Sequence, residues 1–141
     1  MSHVYWDTML FIYWLEDHPE YAGRVKTIHD EMRRRGDVLC TSTFALAEVL
    51  AGPYKQGDTA LISQIREFFH LPRVEMLPFD TETADHYARI RSRYRVSPAD
   101  AIHLATAARA GVDLFLTNDR RLRGLAIPGI HFVATMDVDL F

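Results

Sequence analysis

Four acidic residues stand where carboxylates could perform chemistry: Asp7, Glu48, Asp100 and Asp119. Three of them lie just beyond an apolar run or at the start of the helical segment behind one, and Glu48 interrupts the otherwise apolar stretch 44–51. Carboxylates that share a crevice repel one another at a low effective dielectric, so they need a cation. All-oxygen carboxylate sites favour Mg²⁺ or Mn²⁺ over Zn²⁺. The chemistry typical of such sites is phosphoryl transfer, in which the ion activates water and stabilises the leaving oxygen.

Each of these acids also has an ordinary structural explanation. Asp7 and Asp119 could be N-caps of the helical segments that follow them. Ser97 and Asp100 resemble a capping box with Asp in the place of Glu. Glu48 could point out of a narrow polar stripe or pair with an arginine, although its apolar neighbours predict a buried helix, where an unpaired charge is costly. For each residue alone, both interpretations stay open.

Other polar side chains lie close to these acids in the sequence. His103 follows Asp100 by three residues, so the two share one face of a helix. We expect the His103 imidazole to pack or to make one hydrogen bond, with a role as catalytic base as the alternative. Five arginines could hold phosphates near the cleft, with a solvated surface role as the alternative: Arg93, Arg95, Arg120, Arg121 and Arg123.

The elements that must position these residues follow from apolar periodicity. Strands are predicted at 3–6, 38–41, 74–77, 112–116 and 130–133. Helices are predicted at 8–15, 19–35, about 43–53, 58–70, 81–93 and 98–111, with a short helical turn near 119. Such alternation predicts an α/β layered fold with a mainly parallel sheet. Ligands in these folds bind outside the carboxyl ends of the strands, where Asp7 and Asp119 are expected.

Length and composition restrict the class of protein. The 141 residues, 48% hydrophobic and 25% charged, predict one globular domain spanning 1–141. The single cysteine, Cys40, excludes an internal disulfide and a cysteine zinc cluster. A net charge of −3 argues against a uniformly basic nucleic-acid-binding surface. No apolar run approaches the ~20 residues of a membrane span, and no signal peptide is recognised, so we expect a soluble cytoplasmic protein.

Four segments in register resemble the PIN-domain ribonucleases. They are VYWDTMLFI (4–12), STFALAEV (42–49), SPADAIHLA (97–105) and LFLTNDRRL (114–122). Their order and spacing match the family's four acid-bearing segments over nearly the whole chain. The compact length is similar to that of VapC-type toxins from bacterial and archaeal toxin–antitoxin pairs.

The resemblance implies a three-layer α/β/α sandwich with a roughly five-stranded sheet, and RNA cleavage that depends on Mg²⁺ or Mn²⁺. Asp7 and Asp100 would be the main metal ligands, and Glu48 and Asp119 would complete the catalytic site directly or through water. Met9 departs from the family, since many relatives carry Asn or Ser there. The absence of a polar group at this position is expected to affect catalytic efficiency more than metal binding.

The resemblance also implies partners. A small antitoxin protein would hold the chain inactive, and family toxins often form homodimers. We expect an apolar groove between the predicted helices 19–35 and 58–70, into which an amphipathic antitoxin helix would fit. An arginine of the antitoxin could then reach the carboxylates in place of metal charge.

Other classes of protein fit less well. A phosphate-receiver domain would need adjacent acids after the first strand and a lysine near the last, and no lysine follows Lys55. A haloacid-dehalogenase-type phosphatase would need a second Asp at position 9, which is Met9. Nucleotide-binding glycine loops are absent from the sequence. The remaining alternative is a catalytically inactive PIN-like module that binds RNA or protein.

Overall fold

The protein is built on a five-stranded sheet in which every neighbouring pair of strands is parallel. A computed structural model describes residues 1–138, so 139–141 of the predicted domain lie outside the described residues. The strands are β1 (His3–Trp6), β2 (Val38–Ser42), β3 (Val74–Leu77), β4 (Leu114–Thr117) and β5 (Phe132–Thr135). Their order across the sheet is β3-β2-β1-β4-β5. The predicted parallel sheet of about five strands is therefore confirmed.

Six α-helices accompany the strands in the described part of the chain. They are α1 (Thr8–Leu15), α2 (Ala22–Arg35), α3 (Thr43–Gln56), α4 (Thr59–Phe69), α5 (Thr81–Arg93) and α6 (Pro98–Ala110). A single 3₁₀ turn, Arg120–Leu122, follows β4. None of the helices within residues 1–138 is both long and apolar enough to cross a membrane.

Two apolar cores cover the two faces of the sheet, because successive strand residues point to opposite sides. One core joins the sheet to α5 and α6 through Tyr5, Cys40, Phe115, Ile90 and Leu104, among others. The second joins it to the helices of the other face through Trp6, Leu39, Leu116, Phe11, Ile28 and Ile65, among others. Strands buried on both faces require near-continuous apolar runs, which the sequence supplies. The result is the expected three-layer arrangement.

The strand order decides where a ligand can bind. The chain runs from central β1 outward through β2 to β3, then returns to place β4 on the other side of β1. The carboxyl ends of β1 and β4 therefore flank the point at which the direction of winding reverses. In open α/β sheets, a crevice at this point is the usual ligand site.

The helix boundaries differ from the prediction at two places. α2 begins at Ala22 rather than at 19, because the His18 Nδ1 accepts the backbone N–H groups of Glu20 and Tyr21 and holds a turn there. α3 continues through Pro53 to Gln56 rather than ending near 52–53. A proline inside a helix removes one backbone donor and crowds the carbonyl four residues earlier, yet α3 continues past Pro53 and ends at Gly57, whose φ of 66° suits glycine.

Two strands begin later than predicted, at Leu114 and Phe132. The residues before them are apolar but belong to turns. The Val112 N–H bonds to the carbonyl of Ala107 at the end of α6, and the Ile130 N–H bonds to the carbonyl of Ile127. Apolar character alone does not separate these turn residues from the strands that follow.

Candidate active site

A cleft of about 440 Å³ opens at the carboxyl edge of the sheet. All four acids singled out from the sequence line it: Asp7, Glu48, Asp100 and Asp119. They come from the end of β1, the middle of α3, the first turn of α6 and the residues after β4. Residues that lie more than one hundred positions apart thus share one crevice.

Asp7 is the most firmly held of the four. It is buried, and its Oδ1 accepts the Thr8 N–H at 2.8 Å as the N-cap of α1. Its Oδ2 accepts the Thr117 hydroxyl at 2.8 Å, which ties it to β4. The capping role and the position in the cleft coexist in this residue.

Asp100 lies in the first turn of α6, half-buried in the wall of the cleft. The Ser97 hydroxyl accepts the Asp100 N–H, so Ser97 is the helix cap. Burial raises the pKa of the Asp100 carboxyl above its usual range, and the negative charges of Asp7 and Asp119 raise it further. A hydrogen bond with Ser97 opposes this rise. The crowding of like charges that the sequence predicted is therefore present at this residue.

Glu48 is less enclosed than its apolar neighbours predicted. α3 buries only Ala45 and Val49, and the Glu48 side chain is 33% exposed. Its partner is a histidine rather than an arginine, since its Oε1 lies 2.7 Å from the Nε2 of His103. The Oε1 also accepts the Thr8 hydroxyl at 2.6 Å. The His103 contact is the main cause that lowers the pKa of Glu48, with burial opposing it.

His103 is buried and makes more contacts than the single hydrogen bond expected. Its Nδ1 lies 2.7 Å from the Tyr5 hydroxyl, which lies 2.8 Å from the Ser42 Oγ. Because a carboxylate only accepts, the His103 Nε2–H donates to Glu48. A polar chain therefore runs from Ser42 through Tyr5 and His103 to Glu48.

Sequence reasoning missed several members of this site. Thr8 and Thr117 were not predicted, although Thr117 is the last residue of β4 and Thr8 begins α1 two residues after β1, and nearness to a strand end is the signal that would have found them. The sequence places Tyr5 in a strand but does not mark it as a member of the site. Burial raises the pKa of its hydroxyl well above the usual range, so the group stays protonated and able to donate.

Asp119 both caps a turn and faces the cleft. Its Oδ1 accepts the Arg121 N–H and Nε at 3.0 Å, and its Oδ2 lies 2.7 Å from the Arg121 Nη2. This pairing lowers the pKa of Asp119. The Arg121 side chain is 84% exposed, so solvent screens the pair and weakens it.

The five arginines proposed as phosphate contacts do not line the cleft. Within residues 1–138, no lysine or arginine does so. Arg121 is engaged by Asp119, and Arg120 and Arg123 are paired with Asp137. Cationic side chains thus supply little of the cleft's immediate surface.

The donor chemistry of the cleft fits a hard divalent cation. Its candidate ligands are carboxylate oxygens, and the negative charges of Asp7 and Asp119 add to the burial that raises the pKa of Asp100. In the described residues, no three His, Cys, Asp or Glu side chains are gathered as a formed metal centre. His103 holds Glu48, and Arg121 holds Asp119. The Arg121 contact is exposed to solvent and is therefore the easier of the two to break.

Comparisons with known proteins agree with this fold. The PIN domain family model matches residues 4–128. VapBC2 of Rickettsia felis, solved with a DNA fragment from its promoter, aligns at 17% identity and a TM-score of 0.75, over 94% of this chain and 98% of that one. A toxin–antitoxin complex of Klebsiella pneumoniae aligns at 20% identity and a TM-score of 0.68, over 90% and 94%.

A third similar structure is Mycobacterium tuberculosis VapC20, described as a toxin that cleaves the Sarcin-Ricin loop. It aligns at 14% identity and a TM-score of 0.66, over 79% of this chain and 86% of that one. No curated protein sequence matches the chain. At these identities the structural likeness establishes the fold.

Proposed function

The chain belongs to the PIN domain family, and from that premise we propose that it is a metal-dependent endoribonuclease, the toxin of a toxin–antitoxin pair. One observation carries the proposal: four carboxylates from distant parts of the chain line one cleft at the sheet's switch point. The similarity to toxins in solved toxin–antitoxin complexes supports the biological role.

Asp7 and Asp100 would hold Mg²⁺ or Mn²⁺, with Glu48 and Asp119 completing the site directly or through water. The ion, when bound, would supply activation of water and charge stabilisation for the leaving oxygen of an RNA phosphodiester. The Thr8 N–H and the Thr117 hydroxyl orient the Asp7 carboxylate.

Glu48 lies beside Asp7, since both carboxylates contact Thr8 and approach the His103 Nε2. The His103 Nε2–H and the Thr8 hydroxyl fix its Oε1, and Tyr5 holds the His103 ring from behind. Met9, also in the lining, leaves an apolar surface where the resemblance to the family implies a polar side chain. Positioning of Glu48 therefore depends on His103 and Thr8.

RNA cleavage by the purified chain tests the proposal. We expect structured RNAs to be cut with Mg²⁺ or Mn²⁺ and to stay intact with EDTA. Asp100→Asn should abolish cutting, while Asp85→Asn, an exposed acid on α5 paired with Arg89, should not. Equal cutting with EDTA contradicts the metal mechanism. RNA binding without cutting favours an inactive RNA-binding module.

The expected antitoxin groove has a counterpart in the structure. A groove of about 660 Å³ lies between the C-terminal ends of α2 and α4 and reaches the first residues of β2 and β3. Its apolar lining includes Met32, Leu39, Phe68, Leu71 and Val74. We propose that an amphipathic antitoxin segment binds there.

The rim of this groove carries charges of both signs. Arg33 and Arg73 lie on it, and within residues 1–138 neither is in an ion pair, while Asp37 and Glu75 also line it. The apolar lining rather than net charge is therefore the feature that a partner would match. The groove opens at the amino edge of the sheet, whereas the acidic cleft lies at the carboxyl edge. A partner that fills the groove and also blocks the acids must therefore extend along the whole face.

Co-expression with the neighbouring small gene tests the partner. We expect the two chains to co-purify through a tag on one of them, and the complex to cut RNA poorly. A second copy of this chain in the groove is the competing occupant, and the mass of the purified species separates the two. If no partner co-purifies and expression of this chain alone does not slow growth, a stand-alone RNA-processing nuclease replaces the toxin.

A further inference from the structure

Three aromatic rings form a cluster beside the acidic cleft: Tyr13, His18 and Tyr21. The ring centroids of Tyr13 and Tyr21 are 4.8 Å apart, and those of His18 and Tyr21 are 5.0 Å apart with planes inclined by 23°. Tyr13 itself lines the cleft, and its hydroxyl accepts the Asn118 amide at 3.0 Å. Asn118 directly precedes Asp119, so the cluster is tied to the acidic site.

The cluster is rigid but not enclosed. All three side chains are only partly buried, with the two tyrosines packed on the edge of the apolar core. The His18 Nδ1 accepts two backbone N–H groups, from Glu20 and Tyr21, which fixes the ring plane. Aromatic surface that is already ordered loses little conformational entropy when a ligand packs on it.

The position of the cluster relative to the acids follows from α1. Asp7 caps this helix, and Met9, Ile12 and Tyr13 on one helical face line the cleft. Six residues at 1.5 Å each place Tyr13 about 9 Å from the cap along the helix axis. This distance places the cluster within reach of a nucleotide next to a phosphate that lies at the acids.

We propose that the Tyr13–His18–Tyr21 cluster is a base-stacking subsite for an RNA nucleotide next to the cleaved phosphate. The inference rests on the proposed ribonuclease function and deepens it. Aromatic side chains bind unstacked bases through their faces, and this contact needs no positive charge. Because no lysine or arginine lines the cleft within the described residues, stacking supplies the positioning that cationic contacts there do not.

A cycle of protein and RNA changes tests this subsite. The probes are fluorescein-labelled 12-nucleotide single-stranded RNAs, one intact and the others with one abasic nucleotide at each position in turn. Binding is measured by anisotropy in an Asp100→Asn background, which prevents cutting and removes one repelling charge. Tyr21→Leu removes one ring of the cluster, Tyr21→Phe keeps it, and Tyr54→Leu is the control, an exposed tyrosine outside the cleft lining.

Tyr21→Leu should weaken binding of intact RNA by about 5- to 150-fold. Tyr21→Phe and Tyr54→Leu should bind as the parent does. On the RNA that lacks the stacked base, Tyr21→Leu should bind as tightly as the parent, because neither protein can make the stacking contact with that RNA. If Tyr21→Leu does not fold, Tyr13→Leu serves in the same cycle.

Two results would overturn this inference while leaving the proposed ribonuclease function standing. One is an equal loss on every abasic RNA, which assigns the cluster a structural role in the turn before α2. The other is an unsubstituted chain that cuts RNA while Tyr21→Leu cuts with unchanged kcat/KM. If the unsubstituted chain neither cuts nor binds RNA, the proposed function fails and this inference fails with it.

Discussion

The carboxylates of the cleft differ in what holds each of them. Asp7 accepts two hydrogen bonds, the Thr8 N–H on Oδ1 and the Thr117 hydroxyl on Oδ2, so both of its oxygens have a donor. Asp100 is half-buried among like charges, and the pKa of its carboxyl is raised. Removing the charge should therefore have opposite consequences at these two residues.

Asp100→Asn should melt no lower than the unsubstituted chain at pH 7 without metal. The raised folded-state pKa means that protonated Asp100 favours folding. That contribution is complete below the ordinary pKa of Asp and is lost as the pH rises through the raised value. The difference in melting temperature between Asp100→Asn and the unsubstituted chain should therefore shrink as the pH falls towards about 3. Thermal melting across this range measures it, and a Tm well below the parent's at pH 7 would mean that Asp100 is a structural partner.

Asp7→Asn should lower the stability by about 1–2 kcal/mol at pH 7, because an amide has one acceptor oxygen for the two donors that Asp7 serves. Urea unfolding of the metal-free chain measures the change. Stability equal to that of the parent would contradict the geometry of this cap.

The Tyr5–His103–Glu48 chain makes a third prediction about single residues. His103→Leu leaves the buried Tyr5 hydroxyl without one of its partners, which costs roughly 1–3 kcal/mol. In a Tyr5→Phe background the same change should cost less, since the hydroxyl is gone. A double-mutant cycle in urea measures the coupling, and additive losses would refute a shared hydrogen-bond chain.

At the scale of elements, the packing of α6 depends on a close approach by the turn before β5. Gly129 has a φ of 100°, and a Cβ built on it would lie 2.5 Å from the carbonyl oxygen of Ala108. Both the backbone conformation and the space therefore require glycine. The loop and the helix it touches belong to the layer that carries Asp100.

Gly129→Ala should destabilise the protein by about 2 kcal/mol or more, since strain and a backbone clash add. Gly23→Ala is the matched control, because nothing lies within 4 Å of its added Cβ and it stands in α2. The control should be neutral or stabilising by up to about 1 kcal/mol. Chemical denaturation compares the two, and a neutral Gly129→Ala would contradict the close approach.

At the scale of the whole molecule, the two proposed binding sites occupy opposite edges of the sheet. The acids lie at its carboxyl edge, while the apolar groove between α2 and α4 reaches its amino edge. Changes at one edge should therefore leave the function of the other intact.

Leu71→Glu should weaken partner binding by tenfold or so without changing RNA cleavage, because it places a charge in the apolar groove. Phe79→Glu is the matched control, since the two side chains are similarly exposed, at 41% and 45%, and Phe79 lies outside the groove. Pull-down with the co-expressed partner and an RNA assay measure both effects. Equal binding by Leu71→Glu and Phe79→Glu would place the partner elsewhere.

The sequence by itself determined the order of the elements and the four acids of the cleft, but not the threonines and the tyrosine that position them. Strand runs and helix periods are local patterns, and parallel strands bring their carboxyl ends to one edge, so Asp7 and Asp119 could be expected together. The element boundaries that differed, at α2, α3 and two strands, depended on caps and turns. There His18 or a terminal backbone carbonyl satisfies donors that composition does not reveal.

Only the tertiary structure decided which polar groups meet inside the site. Tyr5 and His103 lie 98 positions apart, and His103 and Glu48 lie 55 apart, yet they form one hydrogen-bonded chain. Periodicity assigns a residue to a face of its element, but the partner across that face depends on the register and packing of the neighbouring elements. The sequence indicated a groove between two helices but not where it opens. The packing of the helices on the sheet placed it at the edge opposite the acids.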